Sequence, residues 1–233
     1  YGRGELIDKI ESKKTTSKNG TKVKFIPDSN IFKKFNFIND YIETQISNYV
    51  FLNSGLTIYY NKKKFFSENG LKDLLVKYTE NQKISYPIIH LKDKDIEIAL
   101  THGYQYGEEY YSFVNGQNTS SGGTHLAAFR EAIVKTIRDF YKKDFDASDI
   151  RASIISSISI RIQNPIFESQ TKTKLGSTEM DENGLTVRVF INDFVKKNLD
   201  NFLHKNTNVS DELLKRILQS EKERKALSGI KKI

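Results

Sequence analysis

The sequence predicts an α+β fold, with strands in a mostly antiparallel sheet covered on one face by long helices. Three observations predict it. Thr124–Tyr141 repeats apolar side chains at helical spacing, with Leu126, Phe129, Ile133, Val134, Ile137, Phe140 and Tyr141 on one face. Ile154–Ile162 sets Ile158, Ile160 and Ile162 on one side and reads as a buried strand ended by Asn164-Pro165. Hydrophobic residues make up 37% of the 233 positions and aromatic residues 12%, enough for a core and too many for a disordered chain.

The other elements follow in order. Thr21–Ile26 alternates, with Val23 and Phe25 on one side, and is expected to be a strand stopped by Pro27-Asp28. Phe35, Ile38, Ile42, Ile46, Tyr49 and Val50 predict a helix from Phe35 to Leu52, closed by Asn53-Ser54-Gly55. Leu56–Tyr60 and Lys64–Phe66 form a hairpin around Asn61-Lys62-Lys63, and Leu71, Leu74, Leu75 and Tyr78 mark a second helix. The polar stretch Thr79–Ser85 is a candidate domain boundary. Strands are expected at Pro87–Leu91, Ile96–His102 and Tyr110–Val114, a turn-rich loop at Gly116–Gly123, and a short segment at Ala147–Arg151. A polar, Lys-bearing loop covers Glu168–Gly176, and Thr186–Leu203 is helical. Ser210 is expected to cap a last helix whose apolar stripe (Leu213, Leu214, Ile217, Leu218) fades into Glu221-Lys222-Glu223-Arg224-Lys225, as in helices that cross between domains.

Composition removes several function classes. With no Cys, disulfides, Cys-ligated zinc, iron–sulfur clusters and a thiol nucleophile are excluded together. No run approaches 18 apolar residues, so no transmembrane helix is expected. Tyr1-Gly2-Arg3-Gly4-Glu5 lacks the apolar stretch of a signal peptide and an initiator Met, so the chain reads as a piece of a longer, cytoplasmic protein. Its 37 basic and 29 acidic residues leave a formal charge of +8. That balance suits a polyanionic partner, nucleic acid or a nucleotide phosphate, and equally a solvated Lys-rich surface.

Phosphate-loop, HExxH, GxSxG and GxGxxG patterns are all missing, and His90, His102, His125 and His204 have no metal-ligand spacing. Two segments stand out. Gly122-Gly123-Thr124-His125 opens the best helix. Its paired glycines permit close approach of the backbone to a phosphate or to another chain, or simply a tight turn with a Thr cap. Gln170-Thr171-Lys172-Thr173-Lys174-Leu175 follows the buried strand, where a lysine ammonium is a compact charge suited to a terminal phosphate and equally at home on a solvated loop.

Taken together and in order, Gly122–Phe129 (GGTHLAAF), Asp149-Ile150-Arg151 and Gln170–Leu175 (QTKTKL) resemble the B subunits of type IIA DNA topoisomerases. Upstream, Gly20–Asp28 (GTKVKFIPD) and Phe51–Leu56 (FLNSGL) resemble the same family, so the likeness covers nearly the whole chain. Through His102–Val114 and Glu168–Gly176 it is nearer the bacterial topoisomerase IV branch than the gyrase branch.

The resemblance implies a layout. Residues 1–80 would be the C-terminal part of a GHKL ATPase domain, 81–205 a transducer domain of the ribosomal protein S5 domain 2-like fold, and 206–233 a helix leading toward a TOPRIM domain. It also implies ATP and Mg2+ as cofactors, with the metal ligand and the general base outside this chain, so that the chain alone would not turn over ATP. Matched by position, Lys172 is the lysine that reaches the γ-phosphate, and Gln170 the neighbour that contacts that phosphate and the attacking water. Thr21 is the threonine beside the adenine-binding acid. Lys174 has a weaker claim, and His125 has a packing or capping role rather than a catalytic one. The implied function is ATP-gated DNA strand passage by a dimer of B subunits working with a topoisomerase A subunit. The rival class is a non-enzymatic nucleic-acid-binding module, since S5-like folds also occur in ribosomal proteins; another GHKL ATPase is a third reading.

Overall fold

The computed structural model describes residues 18–182 and 184–230, together with Glu5, Lys13, Lys14 and Thr16. It divides into two compact units, Tyr1–Ile38 and Asn39–Ile233.

In the first unit the one described helix is α1 (Ser29–Phe32), capped by Asp28, whose Oδ1 accepts from the Asn30 amide at 2.8 Å. Phe32, Phe35, Phe37 and Phe25 meet edge to face, the closest pair being Phe35 and Phe37 at 4.8 Å between centroids. The expected strand at Thr21–Ile26 does not form; the stretch is irregular, and Val23, Phe25 and Ile26 are exposed. Alternation alone makes no strand, because the ladder needs a neighbouring strand to take its amides and carbonyls.

The second unit begins with α2 (Asn39–Leu52), which starts four residues later than the periodicity predicts and ends before Gly55 at φ +88°. Strands β1 (Thr57–Tyr60) and β2 (Lys63–Phe66) form the predicted hairpin. Its turn is tighter than expected: Asn61 and Lys62 alone span it, both with positive φ, the backbone that matches strand twist in a two-residue loop. Helix α3 (Leu71–Tyr78) follows.

Strands β3 (Ile89–Lys92), β4 (Ile96–His102), β5 (Glu109–Val114), β6 (Gln117–Asn118) and β7 (Ile154–Ile160) make one sheet in the order β3-β4-β7-β5-β6. Every pairing is antiparallel except that of β5 with β7. Between β6 and β7 the chain runs through α4 (Thr124–Tyr141) and α5 (Ala147–Arg151); after β7 come α6 (Val187–Lys205) and α7 (Thr207–Ile230).

Strand alternation sorts the core. Ile96, Ile98 and Leu100 of β4 and Ile154, Ile158 and Ile160 of β7 face Phe129, Ile133 and Ile137 of α4 and Ile191, Leu199 and Leu203 of α6, all essentially without exposed area. Each such side chain contributes about 1.5–3 kcal/mol by leaving water. The opposite face is covered too: Ala99, Phe113 and Ile155 pack under Leu71, Leu74 and Leu75 of α3. Single-sided cover is therefore corrected to two layers, and α3 supplies the second.

The last helix starts at Thr207, not after Ser210. Asn206 is the hinge: its amide donates to Phe202 O at 3.0 Å, while its carbonyl accepts from Val209 and Ser210. Ser210 lies inside the helix and its hydroxyl donates back to Thr207 O at 2.8 Å.

Candidate functional site

The segment leaving β7 folds into a pinned loop. Asn115 grips the strand end, donating to Ile162 O and accepting from the Ile162 amide, each at 2.8 Å. The loop's two arms pair: Glu168 N donates to Lys174 O at 3.1 Å, Gly176 N to Ile166 O at 2.9 Å, and Phe167 bridges Leu175 antiparallel. Leu175 is 1% exposed and anchors the returning arm in the core. The tip is a four-residue turn closed by Lys172 N donating to Ser169 O at 3.0 Å, with the Ser169 and Thr171 hydroxyls 2.7 Å apart.

Lys172 stands at this tip with φ +56°, a left-handed backbone that a side chain beyond Gly or Asn adopts only where its surroundings impose it. Gln170 and Lys172 are both exposed. No hydrogen bond or ion pair among the described residues engages the Lys172 ammonium, whereas Lys174 pairs with Glu168 at 2.9 Å. Exposed pairs of that kind add little stability, but this one orients Lys174 back along its own loop. Gln170 and Lys172 are thus brought together; Thr21 lies in the other compact unit, exposed and in no regular element.

The GGTH segment is joined to this loop. Gly123 bridges Leu175 in parallel, Leu175 N donates to Gly122 O at 3.0 Å, Thr124 N to Leu175 O at 3.2 Å, and Ser121 N to Thr173 O at 2.9 Å. The close approach that the paired glycines allow is therefore to the chain's own backbone. The tight turn forms, but Thr124 is not its cap: it is the first residue of α4, Gly123 sits at the cap position, and the Thr124 hydroxyl donates to Ser177 O at 2.6 Å. His125 is fully buried, with Nε2 3.1 Å from Thr119 Oγ1 and Nδ1 without a partner. Burial pushes its pKa down to about 4, so it sits neutral in the core.

Sequence reasoning missed a polar cluster where the start of β5 meets α4 and α5. Glu108 accepts from Arg130 Nη2 at 2.9 Å, from Arg151 Nε at 3.2 Å and from the Tyr110 hydroxyl at 2.7 Å. Burial raises the Glu108 pKa, but the Tyr110 and Arg151 hydrogen bonds and the Arg130 charge outweigh it and hold the carboxyl below its usual range. The two arginines sit 22 and 43 positions away, beyond any local pattern. Two clefts of about 550 Å³ each, one at Tyr104, Ser153 and Arg216 and one along Arg130, Arg138 and Arg151 beside the Glu108 cluster, leave out the Lys172 tip. The Lys172 tip is an exposed charge outside both clefts. Among the described residues no group of three or more His, Asp or Glu could hold a metal ion, and no helix is long and apolar enough to cross a membrane.

Structures of known proteins share this architecture. The 43K ATPase domain of Thermus thermophilus gyrase B, solved with an aminocoumarin, superposes with a TM-score of 0.71 at 21% identity, over 88% of this chain and 59% of that one. The topoisomerase IV ATP-binding domain of Francisella tularensis, solved with an inhibitor, gives 0.66 at 22% identity, over 85% and 57%. These likenesses bear out the α+β fold class, that of type IIA topoisomerase ATPase regions. A family model for DNA gyrase B matches residues 38–232, so the chain belongs to the DNA gyrase B family, the B subunits of type IIA topoisomerases. The B subunit of DNA topoisomerase 4 from Borreliella burgdorferi is 38% identical over 232 residues, all of this chain and 37% of that protein. The B subunit of DNA gyrase from Clostridium acetobutylicum is 29% identical over 254 aligned positions, all of this chain and 39% of that protein. The chain thus spans about two fifths of these relatives' length.

Proposed function

We propose that this region belongs to an ATP-dependent topoisomerase of the topoisomerase IV branch and reports the γ-phosphate of bound ATP to the remainder of a B subunit. The 38% identity to a topoisomerase 4 protein, against 29% to a gyrase protein of equal coverage, supports the branch. The observation that carries the function is the Lys172 tip: an exposed, unengaged ammonium on a loop whose arms are hydrogen-bonded to each other and to the start of α4. Such a charge has nothing to neutralise within the loop and suits a phosphate delivered from outside it.

In this reading residues 1–80 are the end of a GHKL ATPase domain, 81–205 the transducer, and 206–233 the helix toward a TOPRIM domain. The broad exposure of Phe25, Ile26, Ile31, Phe37 and Ile38 supports a first unit that packs on further protein. ATP supplies the triphosphate whose terminal group is cleaved. Lys172 compensates charge at that group, Gln170 contacts the phosphate and the attacking water, and Thr21 corresponds to the threonine beside the adenine-binding acid. The described residues bring together no group of three or more acidic or histidine side chains that fits a magnesium ion. The general base likewise lies outside the chain, which alone hydrolyses ATP negligibly. Nucleotide binding closes two B subunits, and a DNA duplex passes through them in concert with a topoisomerase A subunit in the cytoplasm. The +8 balance favours DNA phosphates without reading sequence.

The test is nucleotide discrimination in a full-length B subunit carrying this sequence. Lys172→Ala should weaken ATP binding roughly tenfold or more, the worth of a hydrogen bond to a charged group, and leave ADP binding unchanged. Equal losses for both nucleotides, or none, would remove the sensor role.

A further inference from the structure

Gly123 is placed where no other residue fits. Its φ is +131°, outside the range of side chains with a Cβ. A Cβ built there would stand 2.5 Å from Leu175 N and 2.9 Å from Leu175 Cα, and closer still to the Leu175 carbonyl oxygen. These are backbone atoms of a residue that is itself core-anchored, so they cannot step aside. The contact is also bonded on both sides. Ser121, Thr124 and Leu175 donate backbone hydrogen bonds across it, and the Thr124 hydroxyl adds a fourth to Ser177 O. Two backbone bonds run from the turn to the loop and one from the loop to the turn, and together they set the register of Ser121–Thr124 against Thr173–Leu175. Just inside α4, Ala127 N donates to Gly123 O at 3.0 Å, which continues the joint into the helix ladder.

From this we infer that Gly123 is a positioning residue: it makes residues 168–177 and the N-terminal turn of α4 one mechanical body, so that the Lys172 tip cannot shift without carrying α4. The consequence for signalling rests on the phosphate-sensing reading above; the joint itself does not. A loop held only by its own arms would absorb a displacement at its tip. This one transmits it, because α4 continues to Arg130, whose guanidinium meets Glu108 beside Arg151 of α5.

Amide hydrogen exchange tests the joint without nucleotide, on the chain as it stands. The Ser121, Thr124 and Leu175 amides should share one opening, with protection factors within about threefold of each other, as members of one cooperative unit do. Gly123→Ala should speed all three by about 10- to 100-fold, the worth of two or three lost hydrogen bonds, and leave the amides of β4 and β7 unchanged. If Gly123→Ala fails to fold, Thr124→Val removes only the bond to Ser177 and should speed the same three amides by a smaller factor. A Leu175 amide that exchanges freely while Thr124 stays protected would overturn the joint. A second arm uses a full-length B subunit with the β,γ-imido analogue of ATP. The analogue should slow exchange in both the loop and the first turn of α4, and Gly123→Ala should confine the slowing to the loop. Slowing that still reaches α4 in Gly123→Ala overturns the inference and leaves the sensor reading intact. An analogue that leaves the wild-type loop untouched removes the sensor reading, and the joint then stands or falls on the first arm.

Discussion

Asp149 and Arg224, 75 positions apart, form a two-pronged ion pair: Arg224 Nε donates to Oδ1 at 2.8 Å and Nη2 to Oδ2 at 2.7 Å. Asp149 is 3% exposed, and the pair ties α7 to α5. Eight residues earlier on the same helix, Arg216 donates to Ser153 Oγ at 2.7 Å, so α7 is clamped both to α5 and to the turn that leads into β7. The Asp149-Ile150-Arg151 segment thus points its two charged side chains to different partners, Arg224 and Glu108.

Removing one member of that pair should hurt more than removing both. Arg224→Leu strands a buried carboxylate and should lower the melting temperature by about 5 °C or more, whereas Asp149→Asn combined with Arg224→Leu should recover part of the loss. Thermal unfolding of the two single variants and the double variant checks this. Strictly additive losses would mean that the pair contributes nothing as a pair.

Two buried histidines should make folding sensitive to mild acid. Burial, reinforced by the nearby Arg216 charge and opposed by the hydrogen bond to Ile150 O, pushes the His102 pKa down to about 4; burial does the same for His125. Below pH 6.5 the unfolded chain takes protons at both positions while the folded chain does not, so stability is full above pH 6.5 and falls as pH drops toward 4. Each histidine contributes a slope of up to about 1.4 kcal/mol per pH unit, or roughly 3 kcal/mol across the window. Glu97 and Glu108, both held below the usual carboxylate range, add their losses only further down. Urea unfolding between about pH 7 and 5 should show the slope, and His125→Gln, which can still meet Thr119, should remove about half of it. An unchanged slope would place the proton uptake elsewhere.

What the sequence disclosed depended on how local the cause was. Ile96–His102 and Thr124–Tyr141 form with the predicted bounds because their own periodicity matches the faces they bury. The end of α6 was harder to place: Asn206, Thr207, Asn208 and Ser210 are all good cap residues within five positions, and only the packed structure selects Asn206. β6 is two residues long and exists because Phe113 and Val114 lie opposite it. Of the site, the loop and its lysine were legible from motif resemblance. The left-handed backbone at Lys172, the Gly123–Leu175 contact and the Glu108 cluster were not, since each depends on residues distant in sequence.

The basic balance should show itself as non-specific DNA binding. Duplex titrations of the chain at several salt concentrations should give weak binding that falls linearly in log–log form with salt, without sequence preference. Affinity that ignores salt, or a strong preference for one sequence, would contradict a phosphate-dominated contact.

The sharpest test of the loop separates the Lys172 charge from its backbone. Lys172→Ala removes the ammonium and keeps a Cβ at φ +56°; Lys172→Gly removes the ammonium and the unfavourable backbone together. In a full-length B subunit, the two variants should slow ATP turnover by a similar factor, equivalent to about 2.7–4 kcal/mol by analogy with deleted oxyanion donors. Their stabilities without nucleotide should diverge. Lys172→Ala should stay within about 0.5 kcal/mol of wild type, as exposed substitutions do. Lys172→Gly should gain up to about 1 kcal/mol, because glycine occupies the left-handed region without steric cost, less what it loses by freeing the unfolded chain. Lys172→Arg should restore turnover poorly, since a planar fork does not replace a compact ammonium at one oxygen. A variant that is more stable and yet inactive cannot owe its loss to unfolding, so Lys172→Gly is the decisive one. If it turns over ATP normally, the tip is a structural turn and the phosphate contact lies on another residue.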